Sequence, residues 1–500
     1  MLLKRYLHLL DNAAALMASF TGFVDLALKV LRKVTHTSDS STSYNMIEKR
    51  KVLLAEFEGD RISNLPAHLI QLILTSLPIR EAGKTSILSR QWRHHWRNIT
   101  RLVFDDDFYE LEDSDSESEV NSLVMRIQQA LQVHDGPISE FVLSISGLTA
   151  AADNLHLVSY LSNKGISALS LLFDFDQHSY GEEISSSVFL ARKLDSLKLQ
   201  ACKLKVPTWF VGFTRLTVLQ LEMVCLPDDF FQSFLLECPL LEDLRASYVV
   251  GPSKLEIVGP PRLKVCIFRA YRVLETISFS STPLLSLISI QAEMYVQYVS
   301  DTTAVDIVST FVSLPALQQL NLSFECLHLL AAGPVPDRFP TALHHLEVLD
   351  IGNCYDDQCL LELEVLLCLI RSSPNLYKLT IQDTRILDGL NVERELTPLT
   401  SESNGYPDPE AEGSYCQSLT EVHVRNGKGS RDELDLLRFL LANAPRLSRI
   451  VIKPEYKLSW GSCVDFLEKV RQCECVSKEA EIIYVNMSDV ILLSRRLATS

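Results

Sequence analysis

From residue 138 onward one short phrase keeps returning. A leucine or isoleucine opens it, two residues pass, an apolar residue follows, and one residue later comes another. It reads ISEFVLSI from Ile138, ISALSLLF from Ile166, LDSLKL from Leu194, LTVLQL from Leu216 and LEDLRA from Leu241. It continues as LKVCIF from Leu263, LLSLISI from Leu284, LQQLNL from Leu317, LEVLDI from Leu346 and LYKLTI from Leu376. Successive openings lie 21 to 33 residues apart. Alternating apolar residues within each phrase specify a short strand with one buried face.

A phrase at this spacing is the signature of leucine-rich repeats, some of the units here being long. Each unit is one coil. Its strand lines a concave face, its return builds the convex side, and the leucines fill a core shared by stacked coils. The leucines are therefore structural. Residues between them, such as Gln200, Gln220 and Glu222, are candidates for contact with a ligand, and the pattern does not rank them. Several returns read as helical: Phe230, Phe231, Phe234 and Leu235 share a face before Cys238-Pro239, and an apolar helix from Leu360 to Ser373 is closed by Pro374. The coils are irregular, so no perfect horseshoe is expected.

Ahead of the repeats, Asp60–Thr100 reads as three short helices. Pro66 suits a first helical turn, where its missing N–H costs nothing. Leu69, Ile70, Ile73, Leu74 and Leu77 then fall on one face, and Pro78 ends the helix. A second helix fits Arg80–Ser86. Ser89 can cap a third, with Trp92 and Trp96 one turn apart. So large an apolar set in about forty residues suggests either packing on the rest of the chain or a surface completed by a partner.

The string Asp60-Arg61-Ile62-Ser63-x-Leu65-Pro66, then Ile73-Leu74-x-x-Leu77-Pro78, then Thr85-Ser86-x-Leu88-Ser89-x-x-Trp92-Arg93-x-x-Trp96, resembles the F-box of plant F-box/FBD/leucine-rich-repeat proteins. The match runs the length of the motif without a gap. Ala67 stands where the family usually has an acid, and Gly83 where it often has a branched apolar residue. The resemblance implies docking on a Skp-type adaptor and, through it, on a cullin. The adaptor contacts it implies are Leu65, Pro66, Ile73, Leu74, Leu77, Leu88, Ser89, Trp92 and Trp96.

A last unit begins at Cys416. Leu419–Val424 is a strand, Ser430-Arg431-Asp432-Glu433 has capping-box spacing, and a helix through Leu434, Leu437, Leu440 and Leu441 ends at Ala444-Pro445. Another strand follows from Leu447, then a helix over Phe466–Arg471 and a strand over Ile482–Val485. Glu433, Leu434, Phe439, Leu440, Asn443, Ala444, Pro445, Leu447, Ile450 and Ile452 resemble the FBD domain of the same family. Such a unit is expected to cap the repeat stack, whose last layer would otherwise face water.

The remaining segments carry less. Within residues 1–58, Phe20, Val24, Leu28 and Leu31 fit an amphipathic helix, and the segment is expected to dock loosely or extend without order. Asp11 and Asp25 interrupt it, so neither a secretory signal nor a membrane span is read there. Arg101–Phe104 is a strand candidate and Val120–Val133 a helix. The acidic run Asp105–Glu119 is expected to be a solvated loop, with Ser114, Ser116 and Ser118 as candidate phosphoacceptors. Residues 388–415 read as an exposed loop rich in Pro, Gly, Ser and acid.

The net charge of −16 argues against general affinity for nucleic acid. Arg80, Lys84, Arg90, Arg93 and Arg97 make the F-box locally basic, and a charged outer helix face explains them. The twelve cysteines show no zinc spacing; Cys354 with Cys359 and Cys473 with Cys475 are the nearest pairs. His94-His95 makes a poor metal site, because adjacent residues point to different sides of a helix. No nucleotide loop, GxSxG elbow or HExxH appears, so no catalytic residue, metal or cofactor is assigned.

The expected organisation is an α/β chain. Residues 1–58 are an extension, 59–100 a three-helix F-box, and 101–137 an acidic loop with a connecting helix. Residues 138–387 form an irregular leucine-rich-repeat solenoid, 388–415 a loop, 416–486 a strand–helix–strand FBD cap and 487–500 a tail. The expected function is that of the non-catalytic substrate receptor of a Skp–cullin–F-box ubiquitin ligase, cytoplasmic or nuclear, with the target protein unknown. The alternative is a repeat scaffold outside any ligase.

Overall fold

The structure is a computed structural model that describes residues 65–109, 117–148, 156–174, 181–271, 274–292, 305–352, 362–382, 415–427, 431–454 and 460–485. Residues 1–64, most of the acidic run, and 388–414 lie outside these, as do the expectations placed on them. The chain divides into two compact units, Met1–Ser146 and Gly147–Ser500.

In the first unit, helices α1 (Ala67–Thr75) and α2 (Ile79–Lys84) precede two 3-10 segments, Thr85–Ile87 and Trp92–Asn98. Strands β1 (Arg101–Asp105) and β2 (Glu140–Ser144) then pair in parallel, Leu102 opposite Phe141 and Phe104 opposite Leu143, with helix α3 (Glu117–Gln132) connecting them. Ile99, Leu102 and Phe104 repeat the spacing of Ile138, Phe141 and Leu143, and all six are buried. The coil pattern therefore begins at Ile99, one turn earlier than the phrase spacing indicates. β1 is the strand of that coil and α3 lies in its return.

The second unit carries a long parallel sheet. Its strands are β3 (Ala168–Leu172), β4 (Ser196–Gln200), β5 (Val218–Glu222), β6 (Asp243–Val249), β8 (Val265–Ala270) and β10 (Leu287–Ala292). β11 (Gln319–Ser323), β12 (Val348–Gly352), β13 (Lys378–Gln382), β14 (Glu421–Gly427), β15 (Arg449–Pro454) and β16 (Glu481–Tyr484) complete it. Each strand pairs with the next in that order. Parallel sheets covered on both faces read as continuous apolar runs. Most of these strands instead alternate buried with half-buried residues, because the coil packs a core on one face only. Leu197, Leu219, Leu244 and Cys266 stack in one inward row, and Leu199, Leu221, Ala246 and Phe268 in the next. Burying each such leucine contributes about 1.5–3 kcal/mol.

One turn recurs at the entry to these strands. The opening leucine donates its N–H to the carbonyl three residues back: Leu194 to Ala191, Leu216 to Phe213, Leu241 to Cys238, Leu263 to Pro260, Leu317 to Leu314 and Leu447 to Ala444. Proline occupies the next position at Pro239, Pro261, Pro283, Pro315, Pro374 and Pro445, where its fixed φ suits the first central residue of the turn. The rule corrects one anchor. Pro283 marks Leu285 as the opening residue, and Leu285 is 0% exposed whereas Leu284 is 48% exposed. Two leucines in succession hid a slip of one residue, which moves a side chain to the other face.

The returns carry helices α4 (His156–Asn163), α5 (Phe230–Phe234), α6 (Ile307–Val312), α7 (Phe324–Ala331), α8 (Leu363–Arg371), α9 (Arg431–Asn443) and α10 (Trp460–Arg471). Two returns hold strands instead: β7 (Lys254–Val258) and β9 (Thr276–Ser280) pair in parallel as a small separate sheet. The C-terminal unit continues the main sheet in phase. Leu419, Val422 and Val424, then Leu447, Ile450 and Ile452, occupy the positions of Leu376, Leu379 and Ile381. In this structure the FBD-like segment adds further coils, with α9 and α10 as their returns.

Candidate protein-interaction surface

The helical region ahead of β1 is built around its prolines. Pro66 is the N-cap of α1: its carbonyl accepts the Leu69 and Ile70 N–H groups at 2.9 and 3.1 Å. Pro78 both stops α1 and caps α2, accepting from Ala82 N–H at 2.9 Å. Thr85, buried, donates its hydroxyl to the Ala82 carbonyl at 2.6 Å and turns the chain into the first 3-10 segment. The Ser89 hydroxyl accepts the Trp92 N–H at 3.4 Å, but the segment that follows is 3-10 rather than α and its N-cap is Gln91, not Ser89.

That difference decides where the tryptophans point. In a 3-10 helix residues three apart eclipse, so positions i and i+4 diverge by about a third of a turn. Trp92 is wholly buried while Trp96 is half-buried, its ring under the Arg97 guanidinium at 5.9 Å. The shared tryptophan face expected from α-helical spacing is absent.

The implied contact residues fall into two groups. Ile73, Leu74, Leu77 and Trp92 are buried with Ile70, Ile79 and Ala82. They form this region's core. Leu65, Pro66, Leu88, Ser89 and Trp96 reach the surface. The Gln91 amide donates to the Leu65 carbonyl at 3.1 Å and so holds Leu65 and Pro66 beside the turn that carries Leu88 and Ser89.

Two exposed apolar residues escaped the sequence reading. Ile87 is 68% exposed, and Leu72 is exposed one turn beyond the half-buried Leu69. Pro66, Leu69 and Leu72 thus make an i, i+3, i+6 stripe on α1. The available signal was that Leu72 falls off the 3/4-spaced face formed by Ile70, Ile73, Leu74 and Leu77.

Charge surrounds this surface. Arg80, Lys84, Arg90 and Arg93 are exposed, and Arg80 donates to the Asp107 carbonyl at 2.8 Å, tying α2 to the start of the acidic run. Burial, with Asp107 and Asp106 nearby, raises the pKa of the Asp105 carboxyl. Among the described residues, no three His, Cys, Asp or Glu side chains gather as a metal site would require, and no helix is long and apolar enough to cross a membrane.

In the second unit, Gln200, Gln220 and Glu222 lie half-buried on β4 and β5, Gln200 opposite Glu222. The outward positions change character along the sheet. β8 and β10 present Val265, Ile267 and Leu287, whereas Lys378, Glu421, Arg449 and Glu481 alternate in charge across β13–β16. Burial pushes the thiols of Cys202, Cys238, Cys266, Cys326 and Cys416 up to about 12, which keeps these five protonated.

Known proteins match both regions. Residues 62–104 match the F-box domain, and residues 156–381 match the LRR repeats of FBD-associated F-box protein At5g56370. Over 429 residues the chain is 28% identical to the F-box/FBD/LRR-repeat protein At1g13570 of Arabidopsis thaliana, covering 85% of this chain and 98% of that protein. It is 26% identical to At5g56370 itself over 443 residues, covering 85% of this chain and all of that one (100%). A third Arabidopsis relative, FBD-associated F-box protein At4g10400, is 27% identical over 418 residues, 80% of this chain and 94% of its own length. An F-box is a protein-interaction module, here joined to a leucine-rich-repeat sheet, and over most of its length the chain is similar to the F-box/FBD/leucine-rich-repeat proteins of Arabidopsis.

Proposed function

We propose that this chain is the substrate-recognition subunit of a Skp–cullin–F-box ubiquitin ligase. The observation that carries the reading is the apolar surface of the F-box, where Pro66, Leu72 and Ile87 are exposed and Leu65 and Leu88 half-buried, set on a core that does not need it. Apolar groups of this size in water gain about 25 cal/mol per Å² when a partner covers them. A Skp-type adaptor is that partner, and the adaptor brings the cullin. The repeats hold the target. The subunit breaks and makes no bonds itself; it raises the local concentration of target beside the ubiquitin-loaded enzyme.

The test uses surface residues, because Trp92→Ala would remove the core and the surface together. The full chain and its Ile87→Lys/Leu72→Glu variant are co-expressed with a Skp-type adaptor. Recovery of adaptor is expected to fall by about tenfold or more in the variant, at an unchanged unfolding midpoint. Equal recovery with both sinks the reading. Adaptor bound without cullin, in a reconstitution containing both, favours the scaffold alternative.

A further inference from the structure

The repeats carry an exposed apolar surface of their own, apart from the strands. It lies on the edge where the returns turn into the sheet. Phe210 organises it: its ring packs on Phe189 of the preceding coil at 4.9 Å, on Phe213 of its own at 5.0 Å and on Phe234 of the next at 5.5 Å. These aromatics are an ordinary core. Their neighbours in the chain are not. Leu190, beside Phe189, is exposed; Trp209 and Val211, flanking Phe210, are 44% and 59% exposed; Leu236, two residues past Phe234, is exposed as well.

The coils are in close contact here. A Cβ on Gly212 would fall 2.2 Å from the Glu237 carbonyl oxygen, and one on Gly259 would fall 2.7 Å from Leu236 Cδ2. Val211 and Leu236 thus stand on touching backbones, and the exposed side chains form a ridge across successive coils. The same turn edge, with Leu284 exposed at its far end, spans about 20 Å at the ~4.8 Å strand spacing. That matches about six residues of extended polypeptide.

Beside the ridge runs a basic stripe. Exposed residues just ahead of the opening leucines include Arg192, Lys193, Arg215 and Arg262. Arg215 is paired with Asp195 at 3.0 Å, but Arg192 and Lys193 have no ion pair among the described residues. In a chain of net charge −16, cations grouped beside exposed Trp, Val and Leu side chains select a complementary ligand.

We infer that the turn edge formed by Leu190, Trp209, Val211 and Leu236, with Arg192 and Lys193, docks an extended acidic segment of a partner protein whose apolar side chains alternate with Asp or Glu. An extended strand points successive side chains to opposite sides. Laid between the two stripes, such a segment turns its apolar side chains onto the ridge and its carboxylates toward the arginines and lysine. This deepens the receptor reading above, on which its biological purpose rests, by naming the class of target and by placing its binding on the turn edge, apart from the outward face of the sheet.

The experiment measures fluorescence anisotropy of a labelled peptide alternating Asp or Glu with Phe or Leu, added to the full chain. Binding is expected to weaken by about tenfold or more in Trp209→Ser/Val211→Ser and, separately, in Arg192→Glu/Lys193→Glu. It should also weaken with added salt. The outward-face variant Lys198→Glu is expected to bind as the parent does, and a peptide with Lys in place of its acids is expected to fail. Circular dichroism and the unfolding midpoint of each variant verify its fold. Equal binding by both edge variants, equal binding of the Lys peptide, or loss only in Lys198→Glu overturns the inference. So does binding to anionic phosphatidylserine vesicles with none to the peptide. Adaptor recovery by the same preparations is scored in parallel, so failure of the peptide arm and failure of the receptor reading remain distinct.

Discussion

The F-box core and the repeat core bury the same kinds of side chain in opposite ways. In the F-box, Ile70, Ile73, Leu74, Ile79, Ala82 and Trp92 each occupy a position used once. Two prolines and two 3-10 segments give the chain little regularity to fall back on. In the repeats, Leu197, Leu219, Leu244 and Cys266 are one position used repeatedly, and the neighbouring layers support each other. A core of unique positions depends on each residue, whereas a layered core confines a loss to the layers beside it. The difference also sets the partner surfaces. The F-box can leave Ile87 and Leu72 in water because α1, α2 and Trp92 close its core without them, and the repeats can expose Trp209 because Phe210 fills the layer beneath it.

Breaking the comparison starts with Trp92→Ala, expected to cost about 3–5 kcal/mol. Hydrogen exchange should show lost protection through amides 69–99, while amides in β11–β15 keep theirs; a uniform loss along the chain would refute the contrast. Leu219→Ala comes next, at about 2–5 kcal/mol. Its loss of protection should centre on β4, β5 and β6 and fade along the sheet, and an abrupt loss of the entire sheet would show a single cooperative unit.

The buried thiols sharpen the contrast by pH. Five of them are held protonated in the fold up to about 12, against an ordinary value of 9.0. The unfolded chain releases these protons first, so the stability they leave intact below pH 9.0 is lost as pH rises toward about 12. All five lie in the repeats and the C-terminal coils, so alkaline unfolding should begin there, followed by cysteine alkylation at those positions. Unfolding that begins in the F-box would contradict this.

The smallest effect is a gain. A Cβ on Gly83 would meet nothing within 4 Å, so Gly83→Ala in α2 should stabilise the F-box by about 1 kcal/mol. A rise in its unfolding midpoint, with the repeats unchanged, checks it.

Much of the repeat architecture was legible because its information is periodic. Leu-x-x-Leu-x-Leu at Leu194, Leu216 and Leu317 states both the strand and its inward face. The signal failed where the periodicity was doubled or interrupted. Leu284 concealed Leu285 until the Pro-x-Leu turn was seen on neighbouring coils. Ile99, Leu102 and Phe104 stood too far from the next phrase, across the acidic run and α3, to read as a coil. The strands β7 and β9 were present as alternation in Leu255-Glu256-Ile257 and Ile277-Ser278-Phe279 but fell in returns, for which no strand was expected.

By itself the sequence determined the resemblance to the F-box/FBD/leucine-rich-repeat proteins, the F-box ahead of the repeats, and the residues that fill each layer. Those rest on local pattern, which survives without knowledge of distant contacts. Only the tertiary structure decided which F-box residues face water, because the turn from α2 through two 3-10 segments rotates Trp92 inward and leaves Ile87 outside. It also decided that the C-terminal FBD-like segment extends the repeat sheet. That outcome depends on β13 and β14 meeting in register, Leu379 opposite Val422, across a long interruption in the chain. Backbone pairing over such a separation is written in the complementarity of two strand edges and one shared core, and in no single stretch of sequence.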